Sequence, residues 1–128
     1  MDVYIPHETG EFVAFCAALL TMVLSLPFLF APAASLRLLG LMPREGRRGV
    51  YAEARSTLGG FPLGLGLAAV LLAQPMVYLA LGAAYALAAF GRLLAILSDD
   101  AGTLANWALL ILQIALAVAP LAYVFGFL

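Results

Sequence analysis

Four long apolar runs, separated by short polar breaks, constrain this chain more than any other feature. They cover about residues 8–30, 51–73, 76–97 and 103–127, and each reaches or exceeds the ~20 residues a helix needs to cross a bilayer. Hydrocarbon offers the backbone no hydrogen-bond partners, so a spanning segment must satisfy its own N–H and C=O groups, as a helix does. None of the four runs alternates as a strand would. The fold class that follows is all-α: a polytopic membrane protein with four transmembrane helices in an antiparallel bundle, one domain over residues 1–128. Composition agrees, because only 10% of the residues are charged against roughly 25% in soluble domains. Most side chains must therefore meet lipid.

The breaks set the topology. Gln74-Pro75 is too short for anything but a tight hairpin between the second and third runs. The Ser98–Thr103 turn offers Asp100 or Thr103 as an N-cap for the fourth. The first connection is longer and holds Arg37, Arg44, Arg47 and Arg48, so the positive-inside rule places the loop 32–50 in the cytoplasm and both termini outside. Its leucines, Leu36, Leu38, Leu39 and Leu41, suit a segment lying along the membrane surface. No basic residue precedes the first run, which is expected to be kept as a span rather than cleaved as a signal.

Charges inside the spans are few and therefore informative. Counted at helical periodicity, Glu53, Thr57, Gly60 and Gly64 share a face, and Gly60 and Gly64 form a small-xxx-small pair that admits a neighbouring helix. Glu11, Ala14, Ala18, Thr21 and Ser25 form a stripe on the first span, and Asn106 and Gln113 fall on one face of the fourth. Such small and polar stripes are expected to meet in the bundle interior. Gly59, Gly60, Gly64 and Gly91 are the expected helix-packing positions. Counting away from the hairpin sets Glu53 level with Ile96 and Arg92 one turn deeper, so Glu53 and Arg92 are expected to pair. Arg55, Asp99, Asp100 and Asn106 lie near the same end, which makes Glu53, Arg55, Arg92, Asp99, Asp100 and Asn106 the candidate binding cluster. Two readings stay open: a structural clamp, or a site, since intramembrane ions are functional candidates by default.

The stretches "AEARSTLGG" and "FGRLLAILSDDAG" resemble the signature of a family of small bacterial four-span membrane proteins catalogued as a domain of unknown function. The matching positions are Glu53, Arg55, Gly59, Gly60, Gly91, Arg92 and Asp100. Ala95 and Thr103 depart from the serine and proline of that pattern. The resemblance implies an integral protein of the bacterial inner (plasma) membrane and no established activity. The overall size and an arginine near the start of a span also resemble, more loosely, the DoxX-like membrane proteins, some of them linked to quinone-coupled oxidation.

No recognised catalytic motif and no metal-ligand set is present; Cys16 and His7 are the sole cysteine and histidine. A net charge of −1 gives no footprint for nucleic acid. Three function classes remain. One is a non-catalytic module that binds a lipid-like molecule or a membrane partner, as a homo-oligomer or within a larger complex. The second is an enzyme using Glu53 and Arg92 on a bound quinone or lipid. The third is a small proton-coupled transporter with Glu11 as its titrating acid. The arginine-based topology has a direct test. A cysteine placed in the 32–50 connection on a Cys16→Ala background should react with an impermeant thiol reagent only after the inner face is exposed. Labelling of intact cells would invert the orientation.

Overall fold

The computed structural model describes residues 8–41, 49–99 and 102–127. Among them the chain forms five helices: α1 (Thr9–Phe30), α2 (Pro32–Leu38), α3 (Gly49–Leu72), α4 (Pro75–Ser98) and α5 (Leu104–Val124). Four of these, α1, α3, α4 and α5, are long and apolar enough to cross a membrane. The all-α polytopic class is as expected, and each span lies within a few residues of its expected bounds.

Local chemistry explains where the helices begin and end. Ala73 takes a left-handed conformation (φ 50°) after α3, Gln74 is extended, and Pro75 opens α4 at a position where a missing N–H costs nothing. Thr103 is the cap of α5: its hydroxyl oxygen accepts the Asn106 backbone N–H at 3.2 Å. Gly40, at φ +79°, closes α2, and the Leu41 N–H donates to the Leu36 carbonyl at 2.9 Å. Leu36 turns inward and is 1% exposed, whereas Leu38 is 86% exposed. Helix α2 thus folds its inner face against the bundle and leaves the other to the membrane edge.

Helix α3 is not uniform. Residues Ala54–Gly60 are wound as a π-helix, and the Phe61 N–H reaches the Ser56 carbonyl five residues back. Pro62 supplies a reason, because an α-helical turn would press its ring on the Leu58 carbonyl with no N–H to offer; the wider turn relieves that clash. The consequence is a change of phase. A π turn holds an extra residue, and each extra residue rotates the following face by about 100°.

That rotation corrects the expected packing face. Gly59 does meet another helix: a Cβ there would lie 2.7 Å from the Leu29 backbone nitrogen on α1. Gly60 has only the Arg55 carbonyl of its own helix nearby, and Gly64 and Gly91 face open space. The second close contact on α3 is Gly66, where a Cβ would sit 2.9 Å from the Ala18 carbonyl oxygen. On α4 it is Gly82, packed under the Leu121 side chain of α5, where a Cβ would lie 3.2 Å from the Ala117 carbonyl oxygen.

These contacts define the order of the bundle. Helix α1 packs along both α3 and α5, and α4 packs along α5. The hairpin partners α3 and α4 meet through the Phe61–Leu72 half of α3, while the Ala54–Gly60 half packs on α1 and touches α2. Tyr78 and Leu81, fully buried, join Ala14, Phe15, Ala18, Ala69 and Val70 in the core. Val23, Phe30, Phe61, Leu87, Phe90 and Ile111 are exposed, the surface expected against lipid.

Two glycine substitutions separate the observed contact from the expected one. Gly59→Ala should lower stability in detergent by about 1–3 kcal/mol, the usual cost of overpacking a tight contact. Gly64→Ala should be neutral or stabilise by up to about 1 kcal/mol through helix propensity. Thermal unfolding of the two variants side by side checks both signs.

Candidate functional site

Tyr78, Tyr85 and Arg92 recur every seven residues along α4 and so occupy one face of it. That face turns into the bundle: Tyr78 is buried, and Tyr85 and Arg92 are partly so. Counting from Ser98, Arg92 lies about 9 Å inside the end of its helix at 1.5 Å per residue. Its aliphatic stem runs within the bundle and its guanidinium faces α5.

There the guanidinium is gripped by two side-chain amides. Its Nε donates to Gln113 Oε1 at 2.9 Å, and its Nη1 donates to Asn106 Oδ1 at 2.6 Å. The seven-residue spacing of Asn106 and Gln113 puts both on one face of α5, two turns apart, and the guanidinium bridges them. Gln113 lies near the midpoint of α5. Thr103 orients the outer amide: the Asn106 Nδ2 donates to the Thr103 hydroxyl oxygen at 3.2 Å. That bond leaves Asn106 Oδ1 turned toward Arg92, the sense required by a guanidinium, which only donates. The residue that caps α5 therefore also aligns its first ligand to the cation.

The electrostatics follow from what the acceptors are. Both oxygens belong to neutral carboxamides, so they solvate the positive charge without cancelling it. No carboxylate among the described residues pairs with Arg92. An arginine at the centre of a spanning helix costs on the order of +2.5–3.5 kcal/mol, and two charge-assisted hydrogen bonds of about 1.5–3 kcal/mol each are of the size to offset it. Nε and Nη1 use two of the five N–H donors; the others remain for a further partner.

The expected Glu53–Arg92 pair does not form. Glu53 is exposed, and its Oε2 accepts the hydroxyl of Thr57 on its own helix at 3.2 Å. Depth counting across the hairpin placed the two at similar levels, but it assumed an unbroken α-helix. The π turn begins at Ala54, and the residues beside it pack toward α1 rather than α4. Arg55 follows the same direction: its Nη1 donates to the Leu29 carbonyl at 2.7 Å and so caps the last turn of α1 with a positive charge. Asp99 is exposed at the end of α4, and Asp100 lies outside the described residues. Of the six expected members, Arg92 and Asn106 come together.

Gln113 and Thr103 complete the site. Gln113 shares the Asn106 face, and that heptad spacing was the readable signal; what joins it to Arg92 is the packing of α4 on α5. Deeper in the bundle, the Thr21 hydroxyl lies 2.6 Å from the Tyr85 hydroxyl. Thr21 spends its single proton on the Ala17 carbonyl at 2.8 Å, so Tyr85 is the donor. Toward the opposite end, Tyr78 packs edge-on against Tyr123 with ring centroids 5.6 Å apart, and its buried hydroxyl has no hydrogen-bond partner. The Thr21–Tyr85 bond and the Arg92–Gln113–Asn106 bonds form two interior polar groups at different depths.

No known protein family, curated protein or solved structure matches the chain.

The partner of Arg92 can be identified by a double-mutant cycle. Arg92→Leu and Gln113→Leu should be strongly non-additive, with a coupling of about 1.5–3 kcal/mol, the worth of a hydrogen bond to a charged group. Arg92→Leu and Glu53→Leu should add within about 0.5 kcal/mol. Reversible unfolding in mixed micelles reads both cycles.

Proposed function

We propose that the protein is a non-catalytic membrane module that binds the anionic head of a lipid-like molecule at Arg92. One observation carries this reading: the guanidinium is held within a span by neutral oxygens alone, so its charge is solvated and left uncancelled. A phosphate or carboxylate head would supply the missing negative charge and accept the remaining N–H donors in the forked geometry that suits a guanidinium. The Ala54–Gly60 half of α3 leans on α1, and α3 meets α4 through its Phe61–Leu72 half, nearer the hairpin than Arg92 is.

The competing readings have less support. An enzyme acting on quinone or lipid through Glu53 and Arg92 needs the two groups together, and Glu53 bonds elsewhere. Glu11 lies in the first turn of α1, at the other end of the bundle from Arg92, so a transporter built on Glu11 would not use the Arg92 contacts. In the orientation expected from the arginines, the Arg92 end lies at the cytoplasmic leaflet of the bacterial inner membrane.

Gln113→Glu tests the proposal without dismantling the site. A carboxylate at that position keeps an acceptor for Nε, so the tie between α4 and α5 survives, while the guanidinium becomes neutralised. Native mass spectrometry from mild detergent should show an anionic amphiphile retained by the wild type and depleted by about tenfold or more in Gln113→Glu, a change of about 1.4 kcal/mol. Equal retention by a well-folded Gln113→Glu would leave Arg92 a structural clamp.

A further inference from the structure

A second basic site lies on the other side of the bundle. Helix α1 ends at Phe30, Ala31 breaks the helical path (φ −135°, ψ 63°), and α2 starts at Pro32. This corner and the start of α3 enclose an open cleft of about 390 Å³, a size within the ~300–1,000 Å³ of small-ligand sites. Its floor is Pro32, Ala33 and Ala34, and Arg37, Tyr51 and Arg55 stand around it.

The two arginines are held differently. Arg55 is pinned by its bond to the Leu29 carbonyl, so its guanidinium is fixed at the cleft wall before any ligand arrives. Arg37 is exposed, and its guanidinium makes no hydrogen bond among the described residues. The acid nearest to Arg55 in sequence, Glu53, accepts from Thr57, and among the described residues no carboxylate pairs with either guanidinium. Like charges facing one cleft repel, and that repulsion is relieved by an anion between them.

Position decides which anion. The cleft sits where α1 ends, beside the exposed Phe30 and Leu38, so apolar surface flanks it at the level where a span leaves hydrocarbon. A free anion would have no use for those flanks, whereas an acyl chain lies against them. We infer that the cleft seats the phosphodiester of an anionic glycerophospholipid, with Arg37 and Arg55 on the phosphate and the acyl chains along Phe30 and Leu38. Basic pockets between helices at the membrane surface select anionic headgroups by this electrostatics. The site is separate from Arg92, because Arg37 and Arg55 belong to the α1–α2–α3 corner and Arg92 to the α4–α5 seam.

The test uses the full chain in a neutral detergent, titrated with phosphatidylglycerol and, as controls, phosphatidylcholine and inorganic phosphate, with bound copies counted by native mass spectrometry. Arg37→Gln should weaken phosphatidylglycerol binding about fivefold, the factor for one arginine near an anionic surface, with thermal stability unchanged because the exposed Arg37 side chain holds no described partner. Ala34→Trp should fill the cleft and weaken binding with every charge in place; should it misfold, Arg37→Gln decides alone. Gln113→Glu should leave this binding unaltered even where it empties the Arg92 site. Wild-type affinity in Arg37→Gln would overturn the inference, as would equal binding of phosphatidylcholine. Displacement of phosphatidylglycerol by inorganic phosphate would mark the cleft as a site for a free anion and overturn the lipid assignment. Loss of binding in Gln113→Glu but not in Arg37→Gln would assign the phospholipid to Arg92 instead.

Discussion

Lipid gives no hydrophobic reward for pressing one apolar helix against another, and every other feature of this bundle depends on that constraint. The spans are apolar on all sides, so burial alone cannot choose which faces meet. Close backbone approach and interhelical hydrogen bonds choose instead. Gly59 and Gly66 lay α3 on α1, Gly82 lays α4 on α5, and Thr21 and Tyr85 tie α1 to α4 near mid-depth. Helix α1 is consequently the element to which both halves attach, although it carries the fewest sequence motifs. The hairpin between α3 and α4 joins them covalently, yet their shared surface is limited to the half nearest the turn.

A second constraint is the cost of charge in the same solvent. Two arginines of the spanning helices bond to oxygens that carry no charge: Arg55 to a helix-terminal carbonyl, Arg92 to two carboxamides. An ion pair would have been a closed solution, with little left for a partner. Solvation by neutral oxygen stabilises the fold and keeps the positive charge open to an anion. Each arginine therefore has a structural duty, and substitutions that keep the acceptor while changing its charge separate that duty from the proposed recognition of an anion.

The π turn of α3 couples these constraints. It turns Gly59 onto Leu29, which brings Arg55 within 2.7 Å of the carbonyl it caps. By the same rotation it leaves Glu53 and Gly64 outside the α3–α4 seam. One local departure from α geometry, adjacent to Pro62, thus sends Arg55 toward α1 while Arg92 is held by α5.

By itself the sequence determined the class, the number of spans and their approximate bounds, because hydrophobic length and backbone satisfaction in lipid act locally and leave helices as the solution. It also determined the tight Gln74-Pro75 turn and narrowed the cap of α5 to Asp100 or Thr103, of which the structure uses Thr103, because these features are set by residues close in the chain. The heptad pairing of Asn106 with Gln113 was legible as a shared face. Which cation that face receives was not, since it depends on α4 packing against α5 rather than α3. Gly60, Gly64 and Glu53 were misassigned for a related reason: their azimuth follows from a π turn, and a change of helical phase is not visible in periodicity counted at 3.6 residues per turn. Tertiary structure alone decided the partners of Arg55 and Arg92, because in a bundle without hydrophobic drive the neighbour of each helix is chosen by a few close contacts far apart in the chain.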